Sequence, residues 1–143
     1  MKTIITSLFT LIALVATTQS YAQCNNFTKG KCVPALKPYI HNGQLNSTSL
    51  APGENAELMM TFYAGQEYRI FTCSQELLGA VVYKVFDSNH KVVFNSEEAQ
   101  QNNFDFNVKA TQQLYIEVNV PKAEAKTGIV EQGCVAVLVG FKK

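Results

Sequence analysis

Short segments in which apolar and polar side chains alternate run through most of this sequence, and they constrain the fold more than any other feature. In residues 54–63, apolar side chains recur at every second position, as Ala56, Leu58, Met60 and Phe62. A period of two places alternate side chains on opposite faces of a β-strand. The segments with a strand-like pattern are 54–63, 67–73, 80–86, 91–95, 103–109, 113–120 and 134–141, with a less regular one within 43–50.

The spacing of these segments indicates the fold class. They recur about every ten residues, with turn residues between them. Helical turns are expected only in residues 74–78 and in part of the connection 121–133, where Lys122–Lys126 is too short to form a helix alone. Strands without crossover helices pair mainly antiparallel, and their apolar faces must be buried. The sequence therefore predicts an all-β fold over residues 43–143, an antiparallel two-sheet β-sandwich or jelly roll of 7–8 strands.

Residues 1–22 have the features of a secretory signal peptide. Lys2 precedes an apolar run at 4–15, and the small residues Ser20 and Ala22 suit cleavage before Gln23. The run is shorter than the roughly 20 residues of a membrane span, and no later segment is a candidate. We therefore expect export to the periplasm, the cell surface or the medium, with residues 23–42 as an N-terminal segment ahead of the sandwich.

Four cysteines follow the expected cleavage site, at Cys24, Cys32, Cys73 and Cys134. An even number in an exported chain favours two disulfides, for which three pairings exist. We favour Cys24 with Cys32, closing a short N-terminal loop, and Cys73 with Cys134, because each of the latter falls in or beside a strand-like run. A metal site is not expected, since there is no Cys-x-x-Cys and neither histidine has a partner at ligand spacing. No cofactor is expected, and calcium binding is left open.

The charges of the chain are balanced. Removal of Lys2 with the signal peptide leaves 11 basic and 11 acidic residues, without a basic run. This balance gives no electrostatic reason to expect nucleic acid or anionic lipid as a partner.

The cluster Asp87-Ser88-Asn89-His90 lies between two strand-like segments and has two interpretations. Asp, Ser and Asn favour a tight turn, because their side chains bond the local backbone. A catalytic set needs a nucleophile, a base and an orienting group that converge in a pocket, which neighbours on an exposed turn rarely achieve. The turn is favoured and no catalytic residue is assigned. A hydrolase with a loop-assembled site remains an alternative, and it requires His41 or His90 beside a carboxylate or serine in a cleft.

Aromatic side chains suggest a binding surface. If Tyr68, Ile70, Tyr83 and Val85 face the core, the opposite face carries Tyr63, Arg69, Phe71, Lys84 and Phe86, together with Met59. Such a face suits a protein partner or stacking on sugar rings. The alternative is that it is a second packed face, or that residues 24–40 cover it.

Several of these segments together resemble the bacterial pre-peptidase C-terminal domain. The resemblance extends over roughly residues 50–141 and rests on Phe62-Tyr-Ala-Gly-Gln-Glu-Tyr-Arg-Ile70, on the hairpin of residues 82–94, on Phe104-Asp-Phe106 and on Leu114-Tyr-Ile-Glu-Val118. It implies a small jelly-roll-like sandwich that is not catalytic and that assists secretion or binds substrate. The chain is also similar to small stand-alone exported proteins of unknown function in Gram-negative bacteria. No binding residue is implied by either resemblance.

Together these observations predict an exported, non-catalytic module that binds a protein or glycan of the cell envelope. A structural subunit of an envelope assembly is a further alternative, because an unpaired strand edge can be completed by a neighbour.

Overall fold

The computed structural model describes residues 19–123 and 130–143. Most of the predicted signal peptide and much of Lys122–Lys126 lie outside the described residues. The helical elements are α1 (Gln19–Phe27), a π-helical turn (Thr28–Cys32), a 3-10 turn (Val33–Leu36), a second 3-10 turn (Glu76–Leu78) and α2 (Ser96–Ala99). The strands are β1 (Ile40–His41), β2 (Asn46–Leu50), β3 (Asn55–Phe62), β4 (Glu67–Ser74), β5 (Val82–Phe86), β6 (Val92–Asn95), β7 (Asn103–Asn107), β8 (Gln112–Asn119) and β9 (Gly133–Lys142). Within the described ranges, no helix is long and apolar enough to span a membrane.

The strands form two sheets in which every pair is antiparallel. In sheet A the order is β1-β9-β4-β7, and β2 also pairs with β9 on the β1 side. In sheet B the order is β3-β8-β5-β6. The predicted all-β, two-sheet sandwich is confirmed, and the two-residue β1 is a strand that the alternation did not indicate.

The core lies between the inner faces of the two sheets. Tyr68 and Ile70 of β4 face Tyr83 and Val85 of β5, and all four are buried. The orientation assumed for these residues in the sequence is therefore the one the fold adopts. Full burial of one such side chain stabilises the fold by about 1.5–3 kcal/mol. The Tyr83 hydroxyl donates to the carbonyl oxygen of Ile70 at 3.3 Å, so this core tyrosine has a hydrogen-bond partner in the opposite sheet.

The two long sides of the sandwich differ. On the side where β6 meets β7, Phe94, Phe104 and Phe106 stack with ring centroids 4.6 and 4.7 Å apart and close the gap between the sheets. On the opposite side, β3 is the edge of sheet B, and β1 and β2 form the edge of sheet A. Clefts remain between these edges, so this side of the sandwich is open.

The N-terminal segment is helical from Gln19 to Leu36 and covers the outer face of sheet A. Its Cys32 and Leu36 are buried against Ala136 and Leu138 of β9. This explains why eight consecutive residues of β9 are buried, since both faces of that strand are packed. A helical turn is present at Glu76–Leu78, within the predicted 74–78, but the prediction of helical turns at only two places was wrong. The N-terminal segment is helical because contact with sheet A stabilises it, and α2 begins after Asn95, whose side chain caps it.

The predicted disulfide pairing was also wrong. The bonds join Cys24 to Cys134 and Cys32 to Cys73, with Cα–Cα distances of 5.3 and 5.7 Å. In a helical segment, two cysteines eight positions apart are separated by roughly 12 Å along the axis, well beyond the reach of a disulfide. The expected short loop in residues 23–42 therefore does not form, and both bonds tether the N-terminal segment to sheet A.

Candidate functional site: the outer face of sheet B

The predicted aromatic surface is divided between two sides of the molecule. Arg69 and Phe71 belong to β4 in sheet A, whereas Lys84 and Phe86 belong to β5 in sheet B. Outward side chains of the two sheets of a sandwich point in opposite directions. Tyr63 follows the end of β3 and lies on the open side of the sandwich. The five residues therefore do not form one face, and this part of the prediction was wrong.

Phe71 is a packing residue. Its side chain lies against the buried cluster of Cys32, Leu36, Ala136 and Leu138 beneath the N-terminal segment. The alternative interpretation, that residues 24–40 cover the predicted face, is therefore correct for sheet A. Phe71 is not placed to contact a partner while the segment is in position.

Arg69 is held in a local ion-pair cluster on the same covered face. Its guanidinium forms two 2.7 Å hydrogen bonds with Asp105 and lies 4.4 Å from the centre of the Tyr39 ring. The Lys142 ammonium lies 4.3 Å from that ring, and the Tyr39 hydroxyl donates to Glu67. Burial and the hydrogen bond to Glu67 raise the pKa of Tyr39. The guanidinium of Arg69 thus helps to hold Tyr39, at the end of the N-terminal segment, against sheet A.

The outer face of sheet B carries a row of apolar side chains, which we call the apolar row. Met59, Tyr115, Phe86 and Val92 lie directly opposite one another on β3, β8, β5 and β6. Met59 and Val92 are 53% and 47% exposed, and the two aromatic side chains are half-buried. The imidazole ring of His90 lies 5.0 Å from the Tyr115 ring and extends the row.

A second row beside it is mainly acidic, and we call it the acidic row. Glu57, Glu117 and Lys84 lie directly opposite one another on β3, β8 and β5. Glu97 of α2 borders the same hollow as Lys84 and Glu117. The Glu117 carboxylate accepts a 2.7 Å hydrogen bond from the Asn119 side chain, which fixes its orientation. The acidic row therefore presents three carboxylates and one ammonium.

A cleft of about 450 Å³ opens on the side of the sandwich between β3 and the β1–β2 edge. Tyr63, which is 62% exposed, lies at its rim together with Asn42, Gln44, Thr61 and Gln66. Its floor includes Phe62, Tyr68 and Phe141. The structure thus assigns Tyr63 to a different surface from Phe86 and Lys84.

Residues 87–90 form a turn, as the sequence indicated. The Asp87 Oδ1 atom accepts the backbone N–H groups of Asn89 and Lys91 at 2.9 and 3.0 Å. His90 has a φ of 59°, in the left-handed region. The Asp87 side chain is thus used to hold this turn, whereas the His90 ring lies against Tyr115.

The other histidine, His41, is bonded within its own turn. The His41 Nε2 atom lies 3.0 Å from the carbonyl oxygen of Gln44. In the part of the chain that the structure describes, neither histidine ring forms a hydrogen bond with a carboxylate or a serine hydroxyl. The geometry that the hydrolase alternative requires is therefore not found among these residues.

Sequence reasoning missed two members of the apolar row. The alternation around Leu114 and Ile116 does imply that Tyr115 points outward. The order of strands in the sheet, which brings Tyr115 between Met59 and Phe86, depends on long-range pairing that alternation does not encode. Val92 was missed because a register shift between Val85 and Phe86 places it opposite Phe86.

Comparison with protein-family models gave no match, and comparison with curated proteins gave none either. Among solved structures, the chain is similar to the crystal structure of Aeromonas hydrophila PliG, a periplasmic lysozyme inhibitor of g-type lysozyme. The TM-score is 0.51 and the sequence identity 14%, over 74% of this chain and 90% of PliG. At this identity, the likeness shows a shared fold.

Proposed function

We propose that this protein is an exported, non-catalytic module that binds the basic surface of a protein partner through the outer face of sheet B. The observation that carries the proposal is the apolar row beside the acidic row on a sheet face that no other described segment covers. The opposite sheet face is covered by the disulfide-tethered N-terminal segment.

The composition of this face suits a protein interface. Methionine and aromatic side chains are enriched in interface cores, and charged side chains form the rim. The apolar row supplies the first group and the acidic row supplies the second. Three carboxylates against one ammonium favour a basic partner, since complementary charge speeds association and discriminates against acidic proteins.

The class of partner is suggested by the fold. PliG, whose structure is similar, is a periplasmic inhibitor of g-type lysozyme. We propose a lysozyme as the first candidate partner and the periplasm as the first candidate location. The signal-peptide pattern and the two disulfides support export. The resemblance to pre-peptidase C-terminal domains stays a prediction.

The proposal is tested by binding and inhibition assays on the disulfide-bonded chain from Gln23. Affinity for a g-type lysozyme is measured by biolayer interferometry, and cell-wall lysis by that enzyme is followed with and without the protein. Met59→Glu places a charge in the apolar row and is expected to weaken binding at least tenfold. Ile40→Glu is the matched control, because Ile40, at 57%, is about as exposed as Met59 and lies on the edge of sheet A.

The acidic row has its own test. The double variant Glu57→Lys, Glu117→Lys is expected to lower the association rate and to reduce its dependence on salt. No binding to the lysozyme would reject that partner. Equal binding by Met59→Glu and Ile40→Glu, to the lysozyme or to another basic protein recovered from the periplasm, would reject this face.

A further inference from the structure

The cleft on the open side of the sandwich is lined by residues of which the protein-binding proposal uses Met59 alone. Its rim carries three carboxamide side chains, Asn42, Gln44 and Gln66, and the hydroxyl of Thr61. None of the described residues that line it is charged. A cleft of about 450 Å³ is within the range of small-ligand sites. An uncharged ligand with many hydroxyl groups matches this lining, because each carboxamide both donates and accepts hydrogen bonds.

An aromatic ring stands beside these polar groups. Tyr63 is 62% exposed, although large aromatic side chains are usually much more buried. The apolar face of a pyranose ring can lie on such a side chain, and Met59 widens the same surface. The Tyr63 ring can contact the C–H face of a sugar, and the neighbouring carboxamides can form hydrogen bonds with its hydroxyl groups.

Both rims of the cleft are fixed by hydrogen bonds that backbone N–H groups donate. On the first rim, the Asn42 N–H donates to the Val139 carbonyl at 3.0 Å, and the Asn42 side-chain oxygen accepts the Gln44 N–H at 3.0 Å. On the second rim, the Gly65 N–H donates to Val108, and the Val108 N–H donates to Gln66, at 2.8 and 3.1 Å. Fixed rims lower the conformational entropy lost on binding.

The floor supplies a further hydrogen-bonding group. The hydroxyl oxygen of the buried Tyr68 accepts the backbone N–H of Tyr63 at 3.2 Å. This contact leaves the hydroxyl proton of Tyr68 for a ligand oxygen. The aromatic rim and the Tyr68 hydroxyl of the floor are therefore connected through the backbone of Tyr63.

The shape of the open side disfavours an extended peptide. A peptide that added a strand to β3 would need a continuous free edge. The Asn46 side chain reaches across from β2 to the sulfur of Met60 at 4.0 Å. This contact divides the open side into the cleft described above and a smaller, more apolar hollow of about 290 Å³ between β2 and β3. Each part is short and suits a compact ligand.

We propose that the cleft rimmed by Tyr63, Asn42, Gln44 and Gln66 binds an uncharged oligosaccharide. This site is separate from the apolar row, apart from the shared edge residue Met59. The ring of Tyr63 stacks on one sugar, and the carboxamides bond its hydroxyl or acetamido groups.

The proposal is tested by amide NMR titration of the disulfide-bonded chain from Gln23. The probes are cellohexaose, maltohexaose and chitohexaose, with polygalacturonate as an acidic saccharide and a polar decapeptide as an extended peptide. At least one neutral probe is expected to shift amide signals of residues 42–44 and 61–66. Tyr63→Ala is expected to weaken that binding roughly tenfold and Tyr63→Phe by no more than about threefold. Gln44→Ala and Gln66→Ala are each expected to weaken it roughly fivefold.

The matched control is Val93→Ala, which shortens an exposed side chain on the far edge of sheet B and is expected to bind as the original chain does. The proposal is overturned if no neutral probe binds or if the shifts lie elsewhere. Binding of the peptide or of polygalacturonate at this cleft, with none of a neutral probe, would overturn it as well. Loss of lysozyme binding in Met59→Glu would leave the saccharide proposal unaffected, because that proposal is tested with different ligands and with variants of Tyr63, Gln44 and Gln66.

Discussion

Arg69 and Asp105 face each other across the β4–β7 pair, and their side chains form a bidentate ion pair with both N–O distances at 2.7 Å. The Tyr39 ring lies on the guanidinium, so the pair also holds the end of the N-terminal segment. The hydrogen bond from Arg69 lowers the pKa of Asp105.

The pair predicts a loss of stability in acid. Because the folded-state pKa of Asp105 is below its unfolded value of about 3.9, the pair stabilises the fold above that pH and the contribution is lost as pH falls through the folded-state pKa. Asp105→Asn is expected to cost about 1 kcal/mol or less at neutral pH, since the carboxylate is 37% exposed. Urea unfolding at several pH values measures both effects, with Glu98→Gln as control. If Asp105→Asn lost stability in acid as steeply as the original chain does, this role of the Arg69–Asp105 pair would be contradicted.

The disulfides provide a second prediction. Non-reducing proteolysis followed by mass spectrometry should recover peptides that join Cys24 to Cys134 and Cys32 to Cys73. The double variant Cys24→Ser, Cys134→Ser is expected to lower the free energy of unfolding by roughly 4–5 kcal/mol, because the bond links residues 110 positions apart. A peptide that joins Cys24 to Cys32 would show that the N-terminal segment is not placed as described.

A pair of glycines tests the contact between the N-terminal segment and sheet A. A Cβ atom at Gly140 would lie 2.6 Å from the Cβ of Tyr39, whereas one at Gly30 meets nothing within 4 Å. Gly140→Ala should therefore destabilise the fold by about 1–3 kcal/mol. Gly30→Ala should leave the free energy of unfolding unchanged or raise it by up to about 1 kcal/mol, because alanine favours a helical backbone. Thermal unfolding of both variants gives the comparison, and equal midpoints would argue against the Tyr39 contact.

The turn at residues 87–90 gives a fourth prediction. Asp87→Ala removes an oxygen that accepts two backbone N–H groups and is expected to cost about 1 kcal/mol. Ser88→Ala, next to it, should change stability by less than about 0.5 kcal/mol. Chemical denaturation separates the two. If the original chain hydrolysed an ester or glycoside substrate and Ser88→Ala lost that activity with stability unchanged, the catalytic interpretation of this cluster would be supported instead.

Much of the sandwich was predictable because a half-buried strand alternates apolar and polar side chains, which shows which residues share a face. Period-two alternation placed Tyr68 with Ile70 and Tyr83 with Val85 on one face of their strands, and that face is the inward one. The helical structure of the N-terminal segment was not predictable, because its stability comes from packing on Ala136 and Leu138, about a hundred residues away.

The candidate site was predictable only in part for a related reason. Alternation shows that Phe71 and Phe86 both point away from the core, but it does not show that β4 and β5 belong to different sheets. Strand order depends on contacts between residues far apart in the sequence. The entropy of closing a loop changes only slowly with loop length, so it discriminates weakly between the possible strand orders. The alternation therefore grouped Phe71, which is covered, with Phe86, which lies on the free face. It also gave no sign that the outward-pointing Tyr115 lies next to Phe86.

The disulfide pattern has a consequence for how the chain matures. During synthesis from the N-terminus, the thiols of Cys24 and Cys32 emerge first, and the thiol of Cys134, the native partner of Cys24, emerges last. In an oxidising compartment, oxidation in the order of emergence would join Cys24 to Cys32, a bond that the native fold lacks. Maturation therefore requires that Cys24 stay reduced until β9 has arrived, or that a thiol–disulfide exchange step correct the early bond.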